Sequence, residues 1–268
     1  MKALKEFFSS VFNVLVVVIC IILGMVIYKY VMGNPINFEG GNPKGHPMTG
    51  NYLGIIYKGG FIVPLLMAVI LVLLTFTFER FISLSRASGK GRISSFLKSI
   101  QNLLNENKIE EASAACDKQK GSLANVVKAG LHRYRDLQND VSLQNDQKVL
   151  ALQKDLEEAT ALELPMLSQN LVIISTIASI SVLLGLIGTV LGMIRAFAAL
   201  ATQGAPDALA LATGISEALI NTAFGISGST LAIILYNYFS SDIDSMTFKI
   251  DEACFSLVQT FASTLKKK

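Results

Sequence analysis

Leu164–Ala201 (LPMLSQNLVIISTIASISVLLGLIGTVLGMIRAFAALA) and Ala208–Phe239 (ALALATGISEALINTAFGISGSTLAIILYNYF) decide how this chain folds. A helix rises about 1.5 Å per residue and needs about 20 apolar residues to cross a bilayer, and both stretches exceed that. Only Thr202–Asp207 (TQGAPD) separates them, so they read as a transmembrane hairpin. Their polar content sets them apart from simple anchors. The first carries Ser175, Thr176, Ser179, Ser181, Thr189 and Arg195; the second carries Thr213, Ser216, Glu217, Asn221, Thr222, Ser227, Ser229 and Thr230.

Folding the hairpin about a turn centred between Ala205 and Pro206 brings Thr189 level with Thr222. The same register brings Arg195 level with Glu217, to within a residue. Polar groups in hydrocarbon are costly unless satisfied, so intramembrane charges are functional candidates with a named partner. Glu217 is expected either to pair with Arg195 or to tune the potential near the outer mouth of a pathway. Small residues run beside these groups: Ser181, Gly185, Gly188, Thr189 and Gly192 on one helix, and Gly214, Ala218, Thr222, Gly225, Ser229 and Ala232 on the other. Such stripes let helices approach closely in lipid, and in an oligomer they would equally line a narrow polar path. Spacing alone leaves both readings open.

Four motifs in this order resemble the MotA/TolQ/ExbB proton-channel family, and most closely its ExbB/TolQ branch. They are LPML at 164–167, LGLIGTVLGMI at 184–194, GISEALINTAFGI at 214–226 and YNYF at 236–239. The likeness extends over roughly Phe61–Phe261. It implies a homo-oligomer, a pentamer, around a central pore. The pore would hold the transmembrane helices of an ExbD/TolR-like single-span partner, whose membrane aspartate carries the proton. A TonB/TolA-like protein would be a further partner. By the resemblance the ion pathway falls on Thr189 and Thr222, and the intramembrane glutamate on Glu217. The chain also departs from the pattern. Arg195 stands where many members have an uncharged residue. Thr230-Leu231-Ala232 replaces Ile-Pro-Ala and so removes an expected proline kink. Ser227, Ser229 and Thr230 are additional candidate pore hydroxyls, which leaves H⁺ and Na⁺ both open because oxygen ligands suit sodium.

Composition agrees with a polytopic membrane protein. Of 268 residues, 51% are hydrophobic and only 16% charged, which is not the balance of a soluble enzyme. A net charge of +3 with no basic–aromatic cluster gives no reason to expect nucleic acid. Cys20, Cys116 and Cys254 are isolated, and His46 and His132 lack spaced partners, so neither a disulfide nor a metal site is expected. No nucleophile–base set, phosphate loop or cofactor motif is present either.

The remaining segments arrange themselves around the hairpin. Residues 1–32 contain the apolar run Val11–Ile27 followed by Tyr28-Lys29-Tyr30. With no small-x-small cleavage site, we read them as a retained transmembrane helix rather than a secretory signal. Residues 33–60 are rich in Gly, Pro and Asn and read as a periplasmic loop, with a short interfacial helix within 50–60. Residues 61–79 form a second span ending at Glu79-Arg80, where Arg80 is expected to snorkel to headgroups. Residues 80–163 are polar, with Arg86, Lys90, Arg92 and Lys98 near the membrane end. By the positive-inside rule they form a cytoplasmic helical domain, with both termini cytoplasmic and membrane lipids around the spans.

In that domain we expect helices over Ile93–Leu104 and Ile109–Lys118, a third capped by Ser122 and running to about Leu137, and a last capped by Ser142 that continues into the membrane. Glu110-Glu111, Asp155 and Glu157-Glu158 read as solvated faces rather than acidic rings. Residues 164–201 and 208–239 are the pore helices, 202–207 the periplasmic turn, and 240–268 a cytoplasmic C-terminal helix. The fold class is therefore all-α, with about four transmembrane helices. The function expected is that of a proton-conducting subunit of an inner-membrane motor, energising TonB-dependent uptake or a Tol-Pal-like process. A MotA-like flagellar stator subunit and a non-conducting membrane scaffold are the alternatives. A small-solute carrier fits less well, because no inverted repeat is evident.

Overall fold

The computed structural model describes residues 2–43, 45–140, 142–201 and 207–267. These residues are helical almost throughout; the one β feature among them is an isolated bridge between Phe38 and Pro47. Nine α-helices follow in order: α1 Lys2–Val26, α2 Tyr52–Tyr57, α3 Ile62–Ala87, α4 Ile93–Asn105, α5 Ile109–Gln119, α6 Gly121–Asn139, α7 Asn145–Ser168, α8 Leu171–Leu200 and α9 Ala208–Lys267. Among the described residues, four stretches are long and apolar enough to cross a membrane: Asn13–Met32, Ile62–Ala87, Asn145–Leu200 and Ala208–Leu265. This is an all-α, multi-pass membrane protein.

Two compact units divide the chain. The first comprises Met1–Phe78 and Val172–Tyr236. Here α1 lies against α3 where Gly24 leaves room: a Cβ on Gly24 would sit 2.8 Å from the Pro64 carbonyl oxygen. Buried Val63, Leu66, Leu73 and Phe76 form the inner face of α3. The segment between α1 and α2 is ordered by a buried asparagine. Asn37 Nδ2 donates to the carbonyls of Val31 and Met32 at 2.8 and 2.9 Å, and its Oδ1 accepts from Asn51 Nδ2 at 3.0 Å. Tyr28 stacks on Tyr57 with ring centroids 4.6 Å apart and donates its hydroxyl to the Tyr57 carbonyl.

The second unit comprises Glu79–Leu171 and Asn237–Lys268. Helices α4 to α7 pack in sequence around a core that includes Phe96, Ile100, Leu104, Leu131, Leu152 and Leu156, closed by Leu257 and Phe261 of α9. Tyr134 joins α6 to α9, its ring 4.6 Å from that of Phe261 and its hydroxyl donating to Thr264 Oγ1. Glu110, Glu111, Glu157 and Glu158 are solvated. Glu110 pairs with Arg135, and half-exposed Asp155 pairs with Arg133.

Several boundaries differ from the expectation. The membrane stretch expected to run unbroken from Leu164 is interrupted at Gln169-Asn170. Asn170 adopts a φ of 60°, a left-handed geometry that asparagine tolerates, and α8 begins only at Leu171. Pro165 instead lies inside α7. Ser122 does not cap α6; it is buried in the first turn, and the cap position is Lys120. Ser142 does not cap α7 either. Its amide and hydroxyl donate to Asp140, while the Gln144 amide, just before the helix, donates to Gln147 Oε1. The predicted turn lies outside the described residues up to Pro206. Asp207, the last residue of that turn, caps α9, with Oδ1 accepting from the amides of Leu209 and Ala210.

Arg80 is the largest departure. It is only 1% exposed rather than snorkelling. Its guanidinium clasps Glu79 through Nε and Nη2, at 2.8 and 2.7 Å, and Nη1 donates to the Leu167 carbonyl at 3.1 Å. Asn170 Nδ2 donates to the same carboxylate. The cation thus satisfies an otherwise open carbonyl in the last turn of α7.

Candidate ion-pathway site

Helices α8 and α9 meet along glycine. A Cβ on Gly225 would lie 2.7 Å from the Ser181 carbonyl oxygen, and one on Gly192 would lie 2.7 Å from both the Ala218 amide nitrogen and the Gly214 carbonyl oxygen. At Gly185 and Gly188 an added Cβ would meet Gly225 and Asn221 in the same way. Gly185, Gly192 and Gly225 serve the close helix contact directly, since any side chain would force the backbones apart, whereas Gly188 makes room for the Asn221 side chain.

Two hydroxyls sit within this seam. Thr189 Oγ1 and Thr222 Oγ1 are hydrogen-bonded to each other, and both are half-buried. Each also reaches a main-chain acceptor: Thr189 the carbonyls of Gly185 (3.1 Å) and Ala218 (3.4 Å), Thr222 that of Ala218 (3.0 Å). Two protons serve these contacts, so one hydroxyl donates to the other while the second donates to a main-chain carbonyl, and lone pairs on the threonine oxygens remain as acceptors.

Nearer the loop end, Arg195 Nη1 lies 2.7 Å from both carboxylate oxygens of Glu217. The pair is lopsided: the Glu217 side chain is 4% exposed and that of Arg195 56%. One side of Glu217 is covered by backbone. Gly60, with a φ of 75°, presents its Cα so closely that an added Cβ would overlap the carboxylate. The neighbouring Gly59 carbonyl accepts from Asn221 Nδ2 at 2.9 Å, tying the turn before α3 to α9. Asn221 is wholly buried, and its Oδ1 has no partner among the described residues.

The seam thus brings together Thr189 with Thr222, and Arg195 with Glu217. Of the additional hydroxyl candidates, Ser229 is buried while Ser227 and Thr230 are exposed. Gly59, Gly60 and Asn221 belong to the Glu217 surroundings, though sequence reasoning did not assign them there. The adjacent glycines just ahead of an apolar run were the one available signal.

These features define a class: a multi-pass helical membrane protein with a hydroxyl pair and an ion pair at one glycine-packed helix seam. The chain belongs to the MotA/TolQ/ExbB proton channel family, whose profile matches residues 118–252. It is similar to an ExbB-like biopolymer transport protein of Synechocystis sp., at 40% identity over 32% of this chain and 42% of that one. It is also similar to the Tol-Pal system protein TolQ of Pseudomonas aeruginosa, at 32% identity over 43% and 50% of the two chains. Against the biopolymer transport protein ExbB of Pseudomonas putida the identity is 28% over 58% of this chain and 46% of the other. The matches therefore span about half the length of these relatives or less.

Proposed function

We propose that this chain is the proton-conducting subunit of a motor in the bacterial inner membrane that uses the proton motive force to energise an envelope process. Biopolymer transport of the ExbB kind and a Tol-Pal-like role are the two processes its relatives suggest. The observation that carries the reading is the hydroxyl pair Thr189–Thr222, half-buried at a helix seam in a chain of this family. In the proposed assembly several copies, five by family likeness, surround the membrane helices of an ExbD/TolR-like partner. The hydroxyls hold water beside the partner's aspartate. Protonating that carboxylate removes a charge that is expensive in low dielectric, freeing the partner helix to turn. One charge crossing the membrane releases about 2.3 kcal/mol per 100 mV, enough to bias such a step. The Arg195–Glu217 pair stands toward one end of the pathway as a fixed electrostatic element rather than a relay.

The test is co-purification in mild detergent followed by proton-flux measurement in vesicles. A single-span protein bearing a membrane aspartate should accompany the chain, and Thr222→Ala should lower flux about tenfold or more, the loss of one hydrogen bond in the conducting step. Flux at the wild-type level in Thr222→Ala would remove that residue from the pathway. No flux in any preparation that contains the partner would leave a membrane scaffold.

A further inference from the structure

Helix α2 reads Tyr52-Leu53-Gly54-Ile55-Ile56-Tyr57 and carries no polar side-chain group beyond its two tyrosine hydroxyls. Gly54 and Tyr57 set its inner side. A Cβ on Gly54 would lie 2.6 Å from the Asn37 carbonyl oxygen, and the Tyr57 ring stacks on Tyr28 and meets Phe38 edge to face. At about 3.6 residues per turn, Tyr52, Ile55 and Ile56 form the opposite side. Tyr52 is 77% exposed, Ile55 is exposed and Ile56 is half-buried. Lys58 is the only charged residue between Met48 and Phe78, and the same helical spacing puts it on the inner side. Its Nζ donates to the Pro43 carbonyl at 3.1 Å and lies 5.7 Å from the centre of the Phe38 ring. A helix apolar on its outer side, with the one nearby cation folded inward, is not built to face water.

The place of α2 in the chain identifies what covers that side. It lies between two candidate spans, Asn13–Met32 and Ile62–Ala87, and touches the ends of both. Tyr28, near the end of the first, stacks on Tyr57 and donates its hydroxyl to the Tyr57 carbonyl. Only Lys58 to Phe61 separate α2 from the second. The exposed apolar surface also continues along the chain into both span ends, through Tyr30 and Val31 on one side and Phe61 on the other. A helix pinned at that level meets the boundary between headgroups and acyl chains, where aliphatic side chains are buried and a tyrosine ring keeps its hydroxyl wet. The outer side offers no charge to fix a protein partner's register, whereas lipid needs none.

We propose that α2 is a membrane-interface helix. Its Tyr52–Ile55–Ile56 side lies in the headgroup and acyl boundary of the leaflet that meets these two span ends, and lipid is its partner. The same helix leads into the Gly59–Gly60 turn, which holds Asn221 and rests on Glu217, so this lipid contact is made close to the ion pair. The inference rests on the spans and is independent of conduction.

The chain contains no tryptophan, so Tyr52→Trp installs a single fluorescent reporter on the outer side of α2. The full chain is placed in phosphatidylcholine nanodiscs, open to water on both faces, with lipid brominated either high or low on the acyl chain. Bromine high on the chain should remove about half of the emission and act about twice as strongly as bromine at the chain end, as insertion by ~5–10 Å requires. Iodide in the buffer should quench the reporter much less than it quenches N-acetyltryptophanamide. If Tyr52→Trp fails to fold, Ile55→Trp puts the reporter on the same side. Full iodide quenching without an effect of bromine would place α2 in water. Protection from both quenchers would put protein over it, and either result overturns the proposal.

Discussion

The Glu217 carboxylate rests against the Cα of Gly60, with no space for a methyl group between them. Gly60 is also held at a φ of 75°, where any side chain is strained. Both effects act on Gly60→Ala: backbone strain, and displacement of a buried carboxylate from its arginine. The expected cost is about 2 kcal/mol, read as a lower unfolding midpoint in detergent. Gly50 has a φ of 81° with nothing near its would-be Cβ, so Gly50→Ala meets only the backbone penalty and is the control. Equal losses at the two sites would show that contact with Glu217 contributes nothing.

Removing the cation isolates the other half of the same arrangement. Arg195→Gln leaves Glu217 buried and opposite no charge. A fully buried pair broken this way costs about 3–5 kcal/mol. With Arg195 56% exposed, solvent screens part of that, and about 1–2 kcal/mol is expected. Arg195→Lys should retain most of the stability because the contact is made through Nη1 alone. Exchanging the two charges is the harsher test here, since arginine at position 217 would meet Gly60. Thermal midpoints for the two single variants decide it: equal destabilisation by lysine and glutamine would mean that charge plays no part.

Much of this site was legible in the sequence for a geometric reason. Two antiparallel helices joined by a short turn have one approximate register, so Thr189–Thr222 and Arg195–Glu217 follow from residue numbers and a guess at the turn. The same logic identified the four candidate spans, because length and apolarity are local properties. What was not legible depends on third partners. Arg80 looked like a snorkelling residue because nothing in its own segment reveals the Leu167 carbonyl, far along the chain, that it satisfies. Gly59 and Gly60 looked like loop punctuation, since their role depends on where Glu217 and Asn221 fall. The break at Asn170 interrupts no apolar periodicity, and left-handed asparagine has no sequence signature of its own.

Cys116 offers a pH-dependent readout in the second unit. Its side chain is 2% exposed, and burial pushes the thiol up to about 12 from an ordinary value near 9, with Asp117 adding to the rise. At pH 8 roughly one part in ten thousand is then thiolate, so iodoacetamide should leave Cys116 unmodified in the native chain and label it in denaturant. The sign for stability follows. Between about 9 and 12 the unfolded thiol releases its proton while the native one keeps it, so this contribution is intact below that window and declines as pH rises through it. Peptide mass spectrometry of native and denatured samples checks the first point; rapid native labelling at pH 8 would contradict the burial of α5 against α6.

Arg80 gives the sharpest contrast with the sequence expectation. A snorkelling arginine could be replaced at little cost, since its charge would be solvated by headgroups and water. The arginine observed is buried, clasps Glu79 and caps the Leu167 carbonyl, so Arg80→Met leaves a carboxylate and a carbonyl short of donors together. The Glu79 side chain is 34% exposed and keeps the Asn170 donor, so solvent screens the stranded carboxylate and a loss of about 1–2 kcal/mol is expected. Adding Glu79→Gln removes the stranded charge and should recover part of the loss, because the carbonyl alone then remains unsatisfied. Unfolding midpoints of the single and double variants distinguish the two descriptions: a near-neutral Arg80→Met restores the snorkelling picture, whereas a loss of that size partly reversed by Glu79→Gln supports the buried clasp.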